Sequence, residues 1–240
     1  MSLLGVISRQ PVHLRSIASK GGGGGFVVRE ASKNWSKSIA LGDGGMIAVH
    51  SRSSDWTTLG AEAASHLQAR ELTGDVFVAT LPAVGDDCPL GGCMLQTSSW
   101  HFAYEGAIGD GDALRRALDP MWCPPDVPPN GPGELIFALI LSHIVREGAA
   151  ITADVAMAKA AADLHRARSL GPVAFICANG TNLYAYSFGR KLAFKNVPEA
   201  IVVGSPEVLA EGPTTRRLQD GALVVLAKRP HLGWAILAHP

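Results

Sequence analysis

The stretch Gly133-Glu134-Leu135-Ile136-Phe137-Ala138-Leu139-Ile140-Leu141-Ser142-His143-Ile144-Val145-Arg146-Glu147 decides the architecture. Its apolar residues cover nearly the whole circumference of a helix, so the helix predicted over 134–147 has almost no face for water and must lie buried between layers. Thr152 as N-cap opens a second predicted helix, running to about Ser169, with Val155, Ala156, Ala160 and Leu164 at helical spacing and Gly171-Pro172 as its stop. Upstream, Leu3–Ser8, Met46–His50, Val76–Leu81 and Trp100–Gly106 read as strands, and Asp112 as the N-cap of a short helix over Ala113–Leu118. Downstream come Val173–Ala178, Leu183–Phe188, Ala200–Gly204, Ala222–Ala227 and Trp234–Ala238, punctuated by Asn-Gly, Phe-Gly and Asp-Gly. Strands, a pair of buried helices, then strands again predict sheets and helices packed as one α+β domain over residues 1–240.

Two connections need a separate reading. Gly21–Gly25 is a run of five glycines, which cradles phosphate when it joins a strand to a helix. Here strand-like Phe26-Val27-Val28 follows, so a hairpin loop is expected. The segment holding Pro120, Pro124, Pro125, Pro128, Pro129 and Pro132 excludes regular structure and reads as a surface connection.

Composition narrows the function classes. Lys+Arg 21 against Asp+Glu 21 leaves no formal net charge, and 18% charged residues is below the roughly 25% usual in soluble domains. Binding to nucleic acid or a membrane surface through bulk charge is therefore not expected. No apolar run approaches the roughly 18 residues of a membrane span, and Leu3 to Ile7 is too short for a signal-peptide core, so a cytoplasmic protein is expected. Four cysteines are too few for a disulfide scaffold. Cys88 and Cys93 bracket a turn with no histidine at finger spacing, so neither zinc nor any other metal or cofactor is expected.

Four segments, in order, resemble class II glutamine amidotransferases. Met1-Ser2-Leu3-Leu4-Gly5-Val6 is similar to that family's Met-Cys-Arg-Leu-Leu-Gly start. Gly42-Asp43-Gly44-Gly45-Met46-Ile47-Ala48 resembles its Asn-Pro-Asp-Gly-Trp-Gly-Ile-Ala turn and strand. Trp100-His101-Phe102-Ala103-Tyr104-Glu105-Gly106-Ala107-Ile108 resembles Trp-x-Phe-Ala-His-Asn-Gly-x-Ile, and Gly133–Leu141 resembles the start of its Asp-Ser-Glu-Ala-Leu-Phe-Ala-Leu-Leu helix. The resemblance implies the four-layer αββα sandwich of N-terminal-nucleophile hydrolases, with two mostly antiparallel sheets between helix layers.

It also implies a chemistry whose parts are changed here. The family's nucleophile is an N-terminal Cys activated by its own α-amine; here Ser2 stands there, with one residue fewer before Leu-Leu-Gly. Its oxyanion hole uses an Asn side chain and the next Gly N–H; Glu105 replaces the Asn, and Gly106 alone would be a backbone donor. A carboxylate repels developing negative charge, and losing one oxyanion donor costs about 10²–10³ in rate. Thr80 and Ala83 fall where the family holds glutamine with Arg and Thr, and Thr cannot form a bidentate clamp on a carboxylate. Thr80, Tyr104 and Glu105 would line the degenerate pocket.

The expectation is a retained scaffold without glutaminase activity, acting as a binding or assembly subunit with a protein partner or as a homodimer. Low charge and the apolar Met121, Trp122 and Val127 of the Pro-rich loop suit an interface. The alternative is an N-terminal Ser amidohydrolase with Ser2 as nucleophile on another amide. Read alone, His101 goes to solvent or into a satisfied hydrogen bond, and Glu105, at a loop end, is solvated.

Overall fold

The computed structural model describes residues 2–13, 46–51, 54–60, 73–81, 92–97, 99–118, 131–147, 152–167, 170–206, 208–209, 213–228 and 231–238. Strands β1 (Ser2–His13), β2 (Met46–Ser51), β3 (Ser54–Gly60), β4 (Thr73–Leu81), β9 (Ala193–Val197), β10 (Ala200–Gly204) and β11 (Thr215–Arg217) form one sheet in the order β11-β9-β10-β1-β4-β2-β3. Strands β5 (Gly92–Gln96), β6 (His101–Ile108), β7 (Leu170–Ala178), β8 (Asn182–Phe188), β12 (Leu223–Ala227) and β13 (Gly233–Ala238) form a second in the order β13-β12-β8-β7-β6-β5. Every pairing in both sheets is antiparallel. Helices α1 (Gly111–Ala117), α2 (Pro132–Glu147) and α3 (Ala153–Arg166) complete the described elements. No described helix is long and apolar enough to cross a membrane.

Strand alternation assigns the faces. On β1, Leu3 and Ile7 enter the layer between the sheets with Val76 and Val78 of β4, Ile201 and Val203 of β10, and Ala103, Ala174, Ile176 and Ala185 of the second sheet. The intervening Leu4 and Val6, with Phe77, Ala79 and Val202, point the other way and are also at most 5% exposed. Both faces of this sheet are therefore buried along β1, β4 and β10, and this is why β1 and β4 read as continuous apolar runs rather than alternating ones.

The two faces of the six-stranded sheet differ in composition. Alanines and aliphatic side chains, Ile176, Leu183 and Leu226 among them, face the other sheet, while Phe102, Tyr104, Phe175, Tyr184 and Tyr186 face α2 and α3. Phe102 stacks on Phe137 of α2 with centroids 5.0 Å apart and meets Phe175 at 5.5 Å. Close sheet packing also explains Gly5, where a Cβ would stand 2.9 Å from Leu183 Cδ1 and 3.0 Å from Val203 Cγ1.

Helix α2 is buried from Leu135 to His143, as its all-round apolar sequence requires, and emerges at Val145, which is 49% exposed. It starts before Glu134: Leu135 N donates to Gly131 O at 3.0 Å, so Pro132 takes the first helical position, where its missing N–H costs nothing. The two long helices are tied through His143. Arg146 can only donate, so its Nη2 bonds His143 Nδ1 (2.9 Å), and His143 Nε2 carries the proton toward Asp163 Oδ2 (2.8 Å).

Several expectations about elements are corrected. The short helix is capped by Asp110, not Asp112: Asp110 Oδ1 accepts from Asp112 N at 3.0 Å and Ala113 N at 3.1 Å. β1 does not stop at Ser8 but reaches His13 across a register shift between Ile7 and Val12, which absorbs Pro11 where no ladder N–H is needed. Gly171-Pro172 lies inside β7, opposite the irregularity between Gly106 and Ile108. Strands β3, β5, β9 and β11 are additions. β9 and β11 are short and carry Lys195, Asn196, Arg216 and Arg217, which weaken any apolar alternation. Asn179 closes the β7–β8 hairpin, its Oδ1 accepting from Thr181 N and Asn182 N. The Gly21–Gly25 loop, Cys88, the Pro-rich residues up to Pro129 and any helix layer on the outer face of the seven-stranded sheet lie outside the described residues.

Candidate functional site

The start of β1, the ends of β4, β6 and β10 and the turn after β10 meet at one end of the sandwich. There Ser205 N donates to Leu3 O (3.0 Å), and Leu3 N donates to Ser205 Oγ (2.9 Å). With its lone pair engaged by Leu3, the Ser205 hydroxyl turns its proton to Glu105 Oε1, 3.3 Å away. Backbone amide, hydroxyl and carboxylate thus form one directed chain joining the two sheets. Ser205 is 2% and Glu105 4% exposed, so Glu105 is not solvated at a loop end. Strand alternation turns it inward with Ala103, because Tyr104 between them takes the helix-side face.

The sequence-predicted site residues are only partly brought together. Thr80, fully buried, pairs directly with Leu3 and continues the inward face of Val76 and Val78. Tyr104 is on the other side of β6, in the aromatic core, and its hydroxyl donates to Gly106 O at 2.6 Å. Ser2 is 7% exposed and adjoins Leu3 on the strand, so alternation sends its side chain to the face opposite Leu3, away from Glu105 and Ser205. In the family's Cys-Arg-Leu-Leu-Gly, the Cys lies two residues before the first Leu and shares its face; the position two before Leu3 is Met1, outside the described residues. Gly106 has φ +128°, and a Cβ there would lie 2.1 Å from Pro172 O, so local packing demands glycine whatever its N–H does. Ser205 was not found from sequence; the only signal is Gly204-Ser205-Pro206 after an apolar run, which marks a turn and says nothing of a site.

A second polar cluster occupies the opposite end. Asp75, 1% exposed, accepts from Lys228 Nζ at 2.7 Å and bonds His50 Nδ1 at 3.0 Å, joining β2 and β4 of one sheet to the end of β12 in the other. His101, at the start of β6, is 2% exposed instead of facing solvent. Burial, and then the nearby charge of His50, push its pKa down to about 4. The unfolded chain binds this proton near pH 6.5 and the folded chain only near 4, so stability is complete above about 6.5 and falls as pH drops toward 4. At about 1.4 kcal/mol per unit the loss amounts to a few kcal/mol. Urea midpoints at pH 7 and pH 4.5 should show it, with a shallower decline in His101→Gln. Among the described residues, no group of three or more His, Cys, Asp or Glu is arranged to hold a metal ion.

No protein-family model and no curated protein matches this sequence. Solved structures do match in shape. The glutamine aminotransferase class-II domain protein of Silicibacter pomeroyi superposes with a TM-score of 0.62 at 16% identity, covering 98% of each chain. The fold is that of class II glutamine amidotransferase domains. The glutamine phosphoribosylpyrophosphate amidotransferase of B. subtilis aligns at TM-score 0.61 and 13% identity over all of this chain and 50% of its own. A protein of Pseudomonas aeruginosa described as a predicted glutamine amidotransferase aligns at TM-score 0.57 and 16% identity over the full length of both. At these identities the likeness is one of fold. It bears out the α+β sandwich of two antiparallel sheets, and within this amidotransferase fold the Glu105–Ser205–Leu3 chain sits where β1 begins.

Proposed function

We propose that this chain is a class II glutamine amidotransferase-like domain that does not hydrolyse glutamine and serves, as a single cytoplasmic domain, as a binding or assembly subunit for a protein partner or a second copy of itself. The observation that carries the reading is the buried Glu105 carboxylate bonded by Ser205. Where acyl transfer from an amide needs a donor facing the developing oxyanion, this chain presents an acceptor already holding the Ser205 hydroxyl. A negative charge there raises the barrier instead of lowering it. The position of Thr80 adds to this, since it offers no cation for the substrate carboxylate.

The alternative Ser2 amidohydrolase is disfavoured by strand alternation, which directs the Ser2 hydroxyl away from Glu105 and Gly106. The purified protein is expected to release no ammonia from glutamine above the buffer rate, and Ser2→Ala to change nothing. Glutamine hydrolysis that Ser2→Ala abolishes would overturn the reading. The assembly role predicts a native mass above that of one chain, alone or with a defined partner; a chain that stays monomeric and partner-free in native lysate contradicts it.

A further inference from the structure

Beside the Ser205 turn, and separate from Glu105, lies a cavity of about 280 Å³ between the β8–β9 turn, the β10–β11 connection and β11. Among the described residues, three cationic side chains, Arg190, Lys191 and Arg217, line it together with the carboxylate of Asp220. In a chain with no formal net charge, the described lining thus carries an excess of positive charge in a concave site, where low-dielectric walls strengthen its attraction for anions. Leu192 and Leu209, 1% and 0% exposed, give it an apolar floor.

The frame is built before any ligand arrives. Gly189 N donates to Asp220 Oδ1, and Ser187 Oγ to Arg190 O. Gly221 N donates to Ser187 O at 2.6 Å, and Leu218 N to Leu192 O at 2.9 Å. These bonds fix the turn that carries Arg190 and Lys191, and they engage part of the Asp220 charge. Arg190 Nε is buried and has no acceptor in the described structure. A buried N–H of a charged group left so is costly and uncommon. A small rotation of the guanidinium would present its Nε–Nη edge, the edge that grips carboxylate or phosphate with two parallel hydrogen bonds.

We propose that this cavity binds a small oxyanion-bearing metabolite, its phosphate or carboxylate gripped by Arg190 and Arg217 and its apolar part resting on Leu192 and Leu209. The volume, at the lower end of the roughly 300–1,000 Å³ of small-molecule sites, suits a compact metabolite and not a nucleic-acid or peptide chain.

Titration calorimetry and thermal unfolding at constant ionic strength, with inorganic phosphate in one arm and malonate in the other, test the proposal. Saturable binding and a raised Tm are expected in at least one arm, and which arm identifies the headgroup. Arg190→Gln and Arg217→Gln should each weaken binding about tenfold or more, the effect of losing a charge-assisted hydrogen bond. Lys191→Gln, at an exposed position, should weaken it less with no change in the urea midpoint, and Asp220→Asn should tighten it. Failure of both anions to act beyond equal chloride overturns the proposal. So does binding that survives undiminished in Arg190→Gln and Arg217→Gln alike. Neither result touches the glutaminase reading, which concerns different residues.

Discussion

Gly106→Ala is expected to destabilise the fold by about 4 kcal/mol or more, a large fraction of the roughly 5–15 kcal/mol that holds a domain folded, because two independent penalties coincide. The backbone φ of +128° lies in a region that side-chain-bearing residues enter only at a cost of about 1–3 kcal/mol. The new Cβ would also lie 2.1 Å from Pro172 O and 2.8 Å from Val173 Cα, and these contacts are with backbone, which cannot swing aside as a side chain can. Relief would require β6 and β7 to part at the Gly106–Val173 pair, next to Glu105. Denaturant unfolding of the purified variant, or its failure to accumulate in soluble form, measures the effect. A midpoint within 1 kcal/mol of the wild type would show that the β6–β7 junction yields. The result also bears on function: a residue that packing alone makes indispensable is retained whether or not its amide faces an oxyanion.

Asp75→Ala is the second large effect, about 3–5 kcal/mol, the range found when one partner of a buried ion pair is removed. Asp75 is 1% exposed, with Lys228 Nζ at 2.7 Å and His50 at 3.0 Å. Truncation leaves Lys228, whose side chain is only 11% exposed, without the carboxylate that offsets its desolvation. Asp75→Asn keeps the shape and hydrogen-bonding capacity and should cost less. Removing both charges is the informative control: Asp75→Leu with Lys228→Met should recover much of the stability lost in Asp75→Ala, because a pair's contribution is far smaller than the cost of breaking it. Urea unfolding of the three variants at pH 7 decides this. If the double variant is as unstable as Asp75→Ala, the loss comes from packing at this end of the sandwich and not from the stranded charge.

The two ends of the sandwich have different polar character. At one, Asp75 joins the sheets through charges; at the other, Glu105, Ser205 and the Leu3 amide join them through a relay of hydrogen bonds. In the proposed reading, residues that would assemble a catalytic pocket in this fold instead help to hold it closed. The cavity next to Ser205 is, among the described residues, a concave feature open to a small ligand.

The amino-acid sequence by itself determined the layers. A helix with no polar face has to be buried, as 134–147 requires, and apolar runs without alternation have to be strands of an interior sheet, as Leu3–Ile7 and Val76–Ala79 require. These are local properties, readable because side-chain direction repeats every 3.6 or 2 residues. The motif order carried the resemblance to class II glutamine amidotransferases, which sets Glu105 against that family's oxyanion Asn. Tertiary structure alone decided which face each site residue takes and what meets it there. Ser205 is a hundred residues from Glu105, so no local pattern could pair them. Tyr104 and Glu105 are neighbours in the chain, but the strand's two-residue period assigns one to the aromatic core and the other to the space between the sheets. The same period removes Ser2 from the face that Leu3 holds. Burial of Glu105, read as solvated, and of His101, read as going to solvent or into a satisfied hydrogen bond, depends on a second sheet lying over them, a contact between segments far apart in sequence that no single strand encodes.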